Sequence, residues 1–217
     1  MRKHFDESLN MLNDNIIQMA ELVSVAIRDS VVALRDKNVE LAHKVVVGDA
    51  EINAKEKEIE SMALAILLKE QPMASDLRFV TSALKLITDL ERIGDQASDI
   101  AYLNIKLTKR NYKLEQLGSV TEMTKITVTM VNDAIKAYVT GDADLAVDVV
   151  ERDKEVNELF AKVRREVVED FKDETFKTKN TLDIFMIAKY LERIGDHAEN
   201  IGRRVYFSLK GQHLEKE

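Results

Sequence analysis

The stretches DLERIGDQASDIA at residues 89–101 and YLERIGDHAENIG at 190–202 share the hexapeptide LERIGD. From Leu90 to Ala101, eight of twelve aligned positions are identical in the second copy. Agreement at that level marks an internal duplication, and self-similarity at a fixed offset decides architecture before any local pattern does. Working outward, the match continues at an offset of 104. Met19 falls on Met123, Asp29 on Asp133, Leu41 on Leu145, and Val45-Val46 on Val149-Val150. DAEIN at 49–53 pairs with DKEVN at 153–157. At LERIGD the offset falls to 101, so the second copy has lost residues between its last two elements.

The repeated elements read as helices. Phe5, Leu9, Leu12, Ile16, Met19, Val23, Ile27 and Leu34 keep three- and four-residue steps, which predicts one amphipathic helix to about Arg35. Asn38 caps a short helix, and Gly48-Asp49 reads as a kink or restart. Ile52, Ile59, Met62, Ala63 and Ile66 share one face of the stretch from Glu51 to Glu70. Pro72 breaks the chain, and a third helix is expected from about Met73 to Lys109. In the second copy Asp142, preceded by Gly141, takes the place of Asn38, and KDETFKTKN replaces the Pro72 connection. The fold expected is all-α: two tandem, sequence-related three-helix bundles in an up-and-down repeat. The first covers 1–112 and the second 113–217, joined near Lys113–Ser119.

Composition agrees. The 217 residues include one proline and seven glycines, with a third of the chain charged, as expected of long helices with few connections. A net charge of −7 leaves no basic footprint for nucleic acid. With no cysteine, disulfides, thiolate metal sites and thiol catalysis are excluded. The opening MRKHFDESLNML has no apolar run of signal-peptide length, and nothing else approaches a membrane span. A soluble intracellular protein is the expectation.

On a helix, Glu91, Asp95 and Asp99 form a shallow stripe about 12 Å long. Glu192, Asp196 and Asn200 form its counterpart. Upstream, Leu77, Val80 and Leu84 occupy nearly the sector of Glu91 and Asp95, while the core seam swings to Leu90, Ile93, Ala97 and Ile100. The carboxylates are therefore expected on a shoulder of the bundle rather than its far solvent face. Acids at i,i+4 repel, by roughly 0.2–0.5 kcal/mol per pair. Compensation has two candidates. One is ion pairing within the helix, Arg92 to Asp95 and Arg193 to Asp196, with Asp49 and Asp153 acting only as N-caps. The other is a hard cation such as Mg²⁺, Mn²⁺, Ca²⁺ or iron, with Asp49 and Asp153 adding ligands from the neighbouring helix. Gly94 and Gly195 sit mid-helix, where each costs about 0.8–1.0 kcal/mol relative to alanine, so their recurrence predicts close packing beside the acids.

Other motifs carry less. ELAH at 40–43 has the Glu-x-x-His spacing of di-iron bundles, but its aligned partner ends in Val147, so His43 reads as a surface histidine. His197 faces Gln96 in the alignment and reads as peripheral. Arg203-Arg204 reads as a cationic end to the last helix. No Gly-rich phosphate loop, nucleophile elbow or HExxH stands out.

The tandem layout, DLRFVTSALKLITDLERIGDQASDIA in the first half and YLERIGDHAENIGRRV in the second, resembles the PhoU family of bacterial phosphate-signalling accessory proteins. The resemblance runs over nearly the whole chain. It implies metal at the repeated Glu/Asp-x-x-x-Asp motif, in some members as multinuclear iron clusters. Glu91–Asp95 and Glu192–Asp196 match that motif, Asp99 extends the first copy, and Asn200 departs from an acid in the second. The implied cofactors are divalent or trivalent ions: iron, manganese, magnesium or zinc. It also implies a cytoplasmic, homodimeric, non-enzymatic negative regulator, peripheral to the inner membrane face through its partners. Those partners are the ATPase subunit of the high-affinity phosphate ABC transporter and the sensor histidine kinase of the phosphate regulon. The alternatives are a PhoU-like accessory of a different phosphate carrier, a metal-dependent helical-bundle enzyme, and a purely structural helical protein.

Overall fold

The computed structural model describes residues 2–112, 118–170 and 178–214. Among them are six helices and no strand: α1 (Arg2–Asp36), α2 (Val39–Glu70), α3 (Ser75–Lys109), α4 (Gly118–Thr140), α5 (Ala143–Asp170) and α6 (Thr178–Lys210). The helices of each half pack on one another, and α3 against α6 forms the main seam between the halves, with a smaller α1–α4 contact. This is the duplicated three-helix layout that the repeat demands.

The apolar stripes account for the packing. Leu12, Ile16, Met19, Val23 and Ile27 of α1 are buried, as are Ile52, Ile59, Ala63 and Ile66 of α2. Leu90, Ile93, Ala97 and Ile100 form the buried seam of α3, and Leu191, Ile194, Ala198 and Ile201 repeat it on α6. These residues belong to one continuous core across both halves. Phe79 of α3 stacks on Tyr138 of α4 with ring centroids 6.3 Å apart, and Arg110 reaches Asp183 at 2.6 Å, so the halves are also tied at their edges.

The first inter-helix turn is the same device twice. Lys37 (φ 54°) and Gly141 (φ 65°) hold matching left-handed positions. Asn38 then accepts from the Leu41 amide at 3.0 Å, and Asp142 accepts from the amides of Asp144 and Leu145 at 3.1 and 2.9 Å. A cap of this kind is worth about 1 kcal/mol. Asn38→Ala is therefore expected to lower stability by about 1 kcal/mol in urea unfolding. An unchanged midpoint would mean that the tertiary contacts of α2 alone fix its start.

Two expectations need correction. Gly48-Asp49 is neither a kink nor a restart: α2 is continuous from Val39 to Glu70, because buried residues on both sides of the pair, Ala42 and Val45 before it and Ile52 and Ile59 after it, hold the helix in place by tertiary packing. Nothing lies within 4 Å of a Cβ built on Gly48, so that glycine has no packing reason. The third helix begins at Ser75 rather than Met73, because Gln71 and Ala74 both take positive φ around Pro72. Of the expected joint at 113–119, residues 113–117 lie outside the described residues. So does most of KDETFKTKN, residues 172–177.

Candidate functional site

Asp49 and Asp153 lie inside α2 and α5, so neither is an N-cap. Each accepts from an asparagine one turn on: Asn53 Nδ2 to Asp49 Oδ2 at 2.9 Å, and Asn157 Nδ2 to Asp153 Oδ2 at 2.6 Å. The other oxygen, Oδ1, is buried without a hydrogen-bond partner in both copies. It lies over the glycine of the facing LERIGD. A Cβ on Gly94 would stand 3.7 Å from Asp49 Oδ1 and only 3.0 Å from Ile52 Cδ1. On Gly195 it would stand 3.3 Å from Asp153 Oδ1 and 3.2 Å from Val156 Cγ1. The recurrent glycines thus let the neighbouring helix, and its aspartate, approach.

Around Asp49 the carboxylates of Glu91, Asp95 and Asp99 gather on the half-buried shoulder of α3. Burial and then the Asp95 charge raise the Asp49 carboxyl. Burial and Asp95 also raise Glu91, to which Glu56 of α2 adds. Asp99 is raised by burial, partly offset by a hydrogen bond from Tyr190. The second cluster is tighter. Asp153 is only 8% exposed, and its carboxyl is pushed up to about 6 by burial and then by Glu199, Asp196 and Glu192. Asp196 is raised by burial and Glu192. Crowded acids whose carboxyls are all pushed upward, with an orphaned buried oxygen in each group, lack positive charge.

The internal pairs supply only part of that charge. Arg92 reaches Asp95 at 3.2 Å as expected. Among the described residues Arg193 makes no ion pair with Asp196; its charge acts on Asp99 and Tyr190 across the α3–α6 seam, and Lys189 pairs with Glu192 at 2.5 Å. Asn200 also turns to the seam, where its amide donates to Asp89 Oδ1 at 3.4 Å. The acid that completes the second cluster is Glu199, whose counterpart in the first copy is Ser98.

Asp89 itself escaped sequence reasoning. It is 5% exposed and holds His197 Nδ1 at 2.9 Å and Arg204 Nε at 2.7 Å. His197 is therefore a seam residue rather than peripheral, and Arg204 closes an inter-bundle ion pair rather than ending the helix. The seam is roughly two-fold: Asp89 meets Asn200 on one side, and their counterparts Tyr190 and Asp99 meet on the other. His43 is exposed, as expected.

The residues fit a hard cation in chemistry: oxygen donors, negative charge and an orphaned oxygen in each cluster. Among the described residues no three His, Asp or Glu side chains converge on one point as they stand. Binding would thus require the carboxylates to rotate inward.

The family model for the PhoU domain matches this chain twice, over residues 16–103 and 120–205. The chain belongs to the PhoU family. The two PhoU matches fall one on each half of the duplication. Among curated relatives, the phosphate-specific transport system accessory protein PhoU homolog 1 of Thermotoga maritima is 34% identical over 98% of this chain and 92% of its own. A PhoU homolog of Pseudomonas aeruginosa, also named as such an accessory protein, is 34% identical over 96% of this chain and 86% of its own. The crystal structure of PhoU from Pseudomonas aeruginosa superposes with a TM-score of 0.93 at 35% identity, covering 96% of this chain and all of that one. That of the phosphate transport system regulatory protein PhoU from Streptococcus pneumoniae gives 0.89 at 27% identity, covering 98% of this chain and all of that one. Among the described residues no helix is long and apolar enough to cross a membrane.

Proposed function

We propose that the chain is a non-enzymatic negative regulator of phosphate uptake and phosphate-regulon signalling. It acts in the cytoplasm, as a homodimer, between the ATPase subunit of a phosphate ABC transporter and a sensor histidine kinase when phosphate is abundant. The observation that carries this reading is the PhoU relationship over both halves, with relatives named as accessory proteins of the phosphate-specific transport system. An adaptor needs long helical faces rather than a reaction centre, and the six-helix body supplies them.

The same reading assigns metal to the twin acidic clusters. Glu91, Asp95 and Asp99 with Asp49 would hold one ion or group of ions; Glu192, Asp196 and Glu199 with Asp153 would hold the other, with Asn200 at its edge. A bound hard cation supplies positive charge to acids that otherwise repel. The residues' own part is to supply carboxylates from both members of each pair, so that a cation they share would tie α2 to α3 and α5 to α6.

Deletion of the gene tests the regulatory reading, with phosphate-starvation genes followed in phosphate-replete medium. They are expected to switch on without starvation. Complementation with Asp95→Asn and Asp196→Asn together is expected to restore repression only in part. Starvation genes that stay repressed in the deletion strain, with normal phosphate accumulation, would sink the proposal.

A further inference from the structure

Beside the seam, between α3 and α6, lies a recess of about 220 Å³ lined by Thr81, Ser82, Lys85, Asn200, Arg203 and Arg204. Its remaining walls are Phe207 and His213. The C-terminal turn forms that side. Gly211 takes φ 73° and its amide donates to the Phe207 carbonyl at 2.8 Å. The His213 ring stacks on Phe207 at 4.2 Å, and Arg203 Nη1 donates to the Leu214 carbonyl at 3.2 Å. Behind the turn, the Arg78 guanidinium lies 3.4 Å from a Cβ placed on Gly211.

The charge here runs against the chain's net −7. Four permanent cations line or border the recess: Arg78, Lys85, Arg203 and Arg204. Two carboxylates answer them. Glu199 takes Arg203, at 2.7 and 2.8 Å, and Asp89 takes the Nε of Arg204 while also holding His197. Arg78 and Lys85 are left over. Arg78 Nε is buried with no hydrogen-bond partner, and Lys85 is exposed with no ion pair among the described residues. Buried donors of this kind are normally satisfied by protein, water or ligand.

The duplication provides an internal control. The positions matching Thr81, Ser82, Lys85, Arg203 and Arg204 are Leu182, Asp183, Met186, Tyr102 and Leu103. The same α3–α6 geometry is thus built there without Lys85, Arg203 and Arg204, so the fold does not require those three, whereas Arg78 keeps a cationic counterpart in Lys179.

We propose that this recess binds a small tetrahedral oxyanion, orthophosphate in the first instance. Lys85 and the free terminal nitrogens of Arg204 would donate charge-assisted hydrogen bonds, with the Ser82 hydroxyl and the Arg78 charge behind them. The volume is below the roughly 300–1,000 Å³ of sites for drug-sized ligands, which favours a bare phosphate over a nucleotide. The proposal deepens the regulatory reading and rests on it for the choice of orthophosphate; the recess and its charge stand independently.

Calorimetric titration of inorganic phosphate into the chelator-treated full chain at low ionic strength tests it. Saturable one-site binding is expected. Lys85→Glu should weaken it by about tenfold or more, since it removes a charge-assisted contact, and Arg78→Met should weaken it by less, since it removes only the charge behind the recess. Lys125→Glu, the same charge change at an exposed position of α4, should keep wild-type affinity. Lys85 is exposed and unpaired, so its variant should fold normally. No saturable heat at millimolar phosphate, or wild-type affinity in Lys85→Glu, would overturn the assignment. So would binding that needs added divalent metal and survives Lys85→Glu, because the anion would then sit on the acidic clusters. Calorimetry reads the recess and the deletion phenotype reads regulation, so the two proposals can fail separately.

Discussion

Asp89→Ala is expected to destabilise the chain by about 2–3 kcal/mol, more than any other single polar substitution at the α3–α6 seam. One carboxylate satisfies His197, Asn200 and Arg204, all from the opposite bundle. Its removal leaves three polar groups without an acceptor at the principal seam. Breaking a fully buried pair costs about 3–5 kcal/mol. Side-chain exposures of 30% for Arg204 and 24% for His197 let water recover part of that. For a chain of this length the loss corresponds to a melting-point drop of roughly 5–10 °C. Asp89→Asn keeps the shape and one acceptor oxygen, and should lose about half as much. Adding Arg204→Met to Asp89→Ala should recover stability, because an apolar pair avoids the stranded charge. Thermal melts that place Asp89→Ala within about 0.5 kcal/mol of wild type would show that the seam rests on apolar packing alone.

This seam marks where sequence reading stops. The duplication, the helices and their buried faces were all legible, because each is a periodic property of one copy confirmed by the other. The shoulder position of Glu91 and Asp95 was legible too, from the apolar sector they take over. Contact between copies leaves no such echo. Asp89 and Arg204 are 115 positions apart, and their repeat counterparts, Tyr190 and Leu103, form no ion pair, so alignment could not flag them. Glu199 was hidden for a related reason. Alignment compares Asp99 with Asn200, whereas the acid in the second copy moved one position back and still reaches Asp153. Gly48 misled in the opposite direction: a Gly-Asp pair reads as a break, yet one glycine costs only about 1 kcal/mol and the two flanking halves of α2 outweigh it.

The acidic clusters should make stability depend on pH in an unusual sense. The Asp153 carboxyl lies near 3.8 in the unfolded chain and is pushed up to about 6 in the folded one. Below both values it is protonated in either state and contributes nothing. As pH rises past 3.8, the unfolded chain releases the proton while the folded chain retains it until about 6. Stability therefore falls across that window, and the full penalty persists above it. A window of about two pH units, at about 1.4 kcal/mol each, sets its size at about 2–3 kcal/mol. Asp49, Glu91, Asp99 and Asp196 are shifted in the same direction and steepen the fall. In metal-free protein, Asp153→Asn should be more stable than wild type by about 2–3 kcal/mol at about pH 8 and equal to it near pH 3. Urea unfolding at both pH values checks this; wild-type stability that is flat or rising between them would contradict it. A divalent cation should reverse the order, because it binds only the deprotonated carboxylates and adds stability by mass action. Wild type then gains on raising pH, whereas Asp153→Asn, lacking the charge, gains little. The acids that weaken the bundle alone are thus the groups through which a cation would tighten α5 against α6.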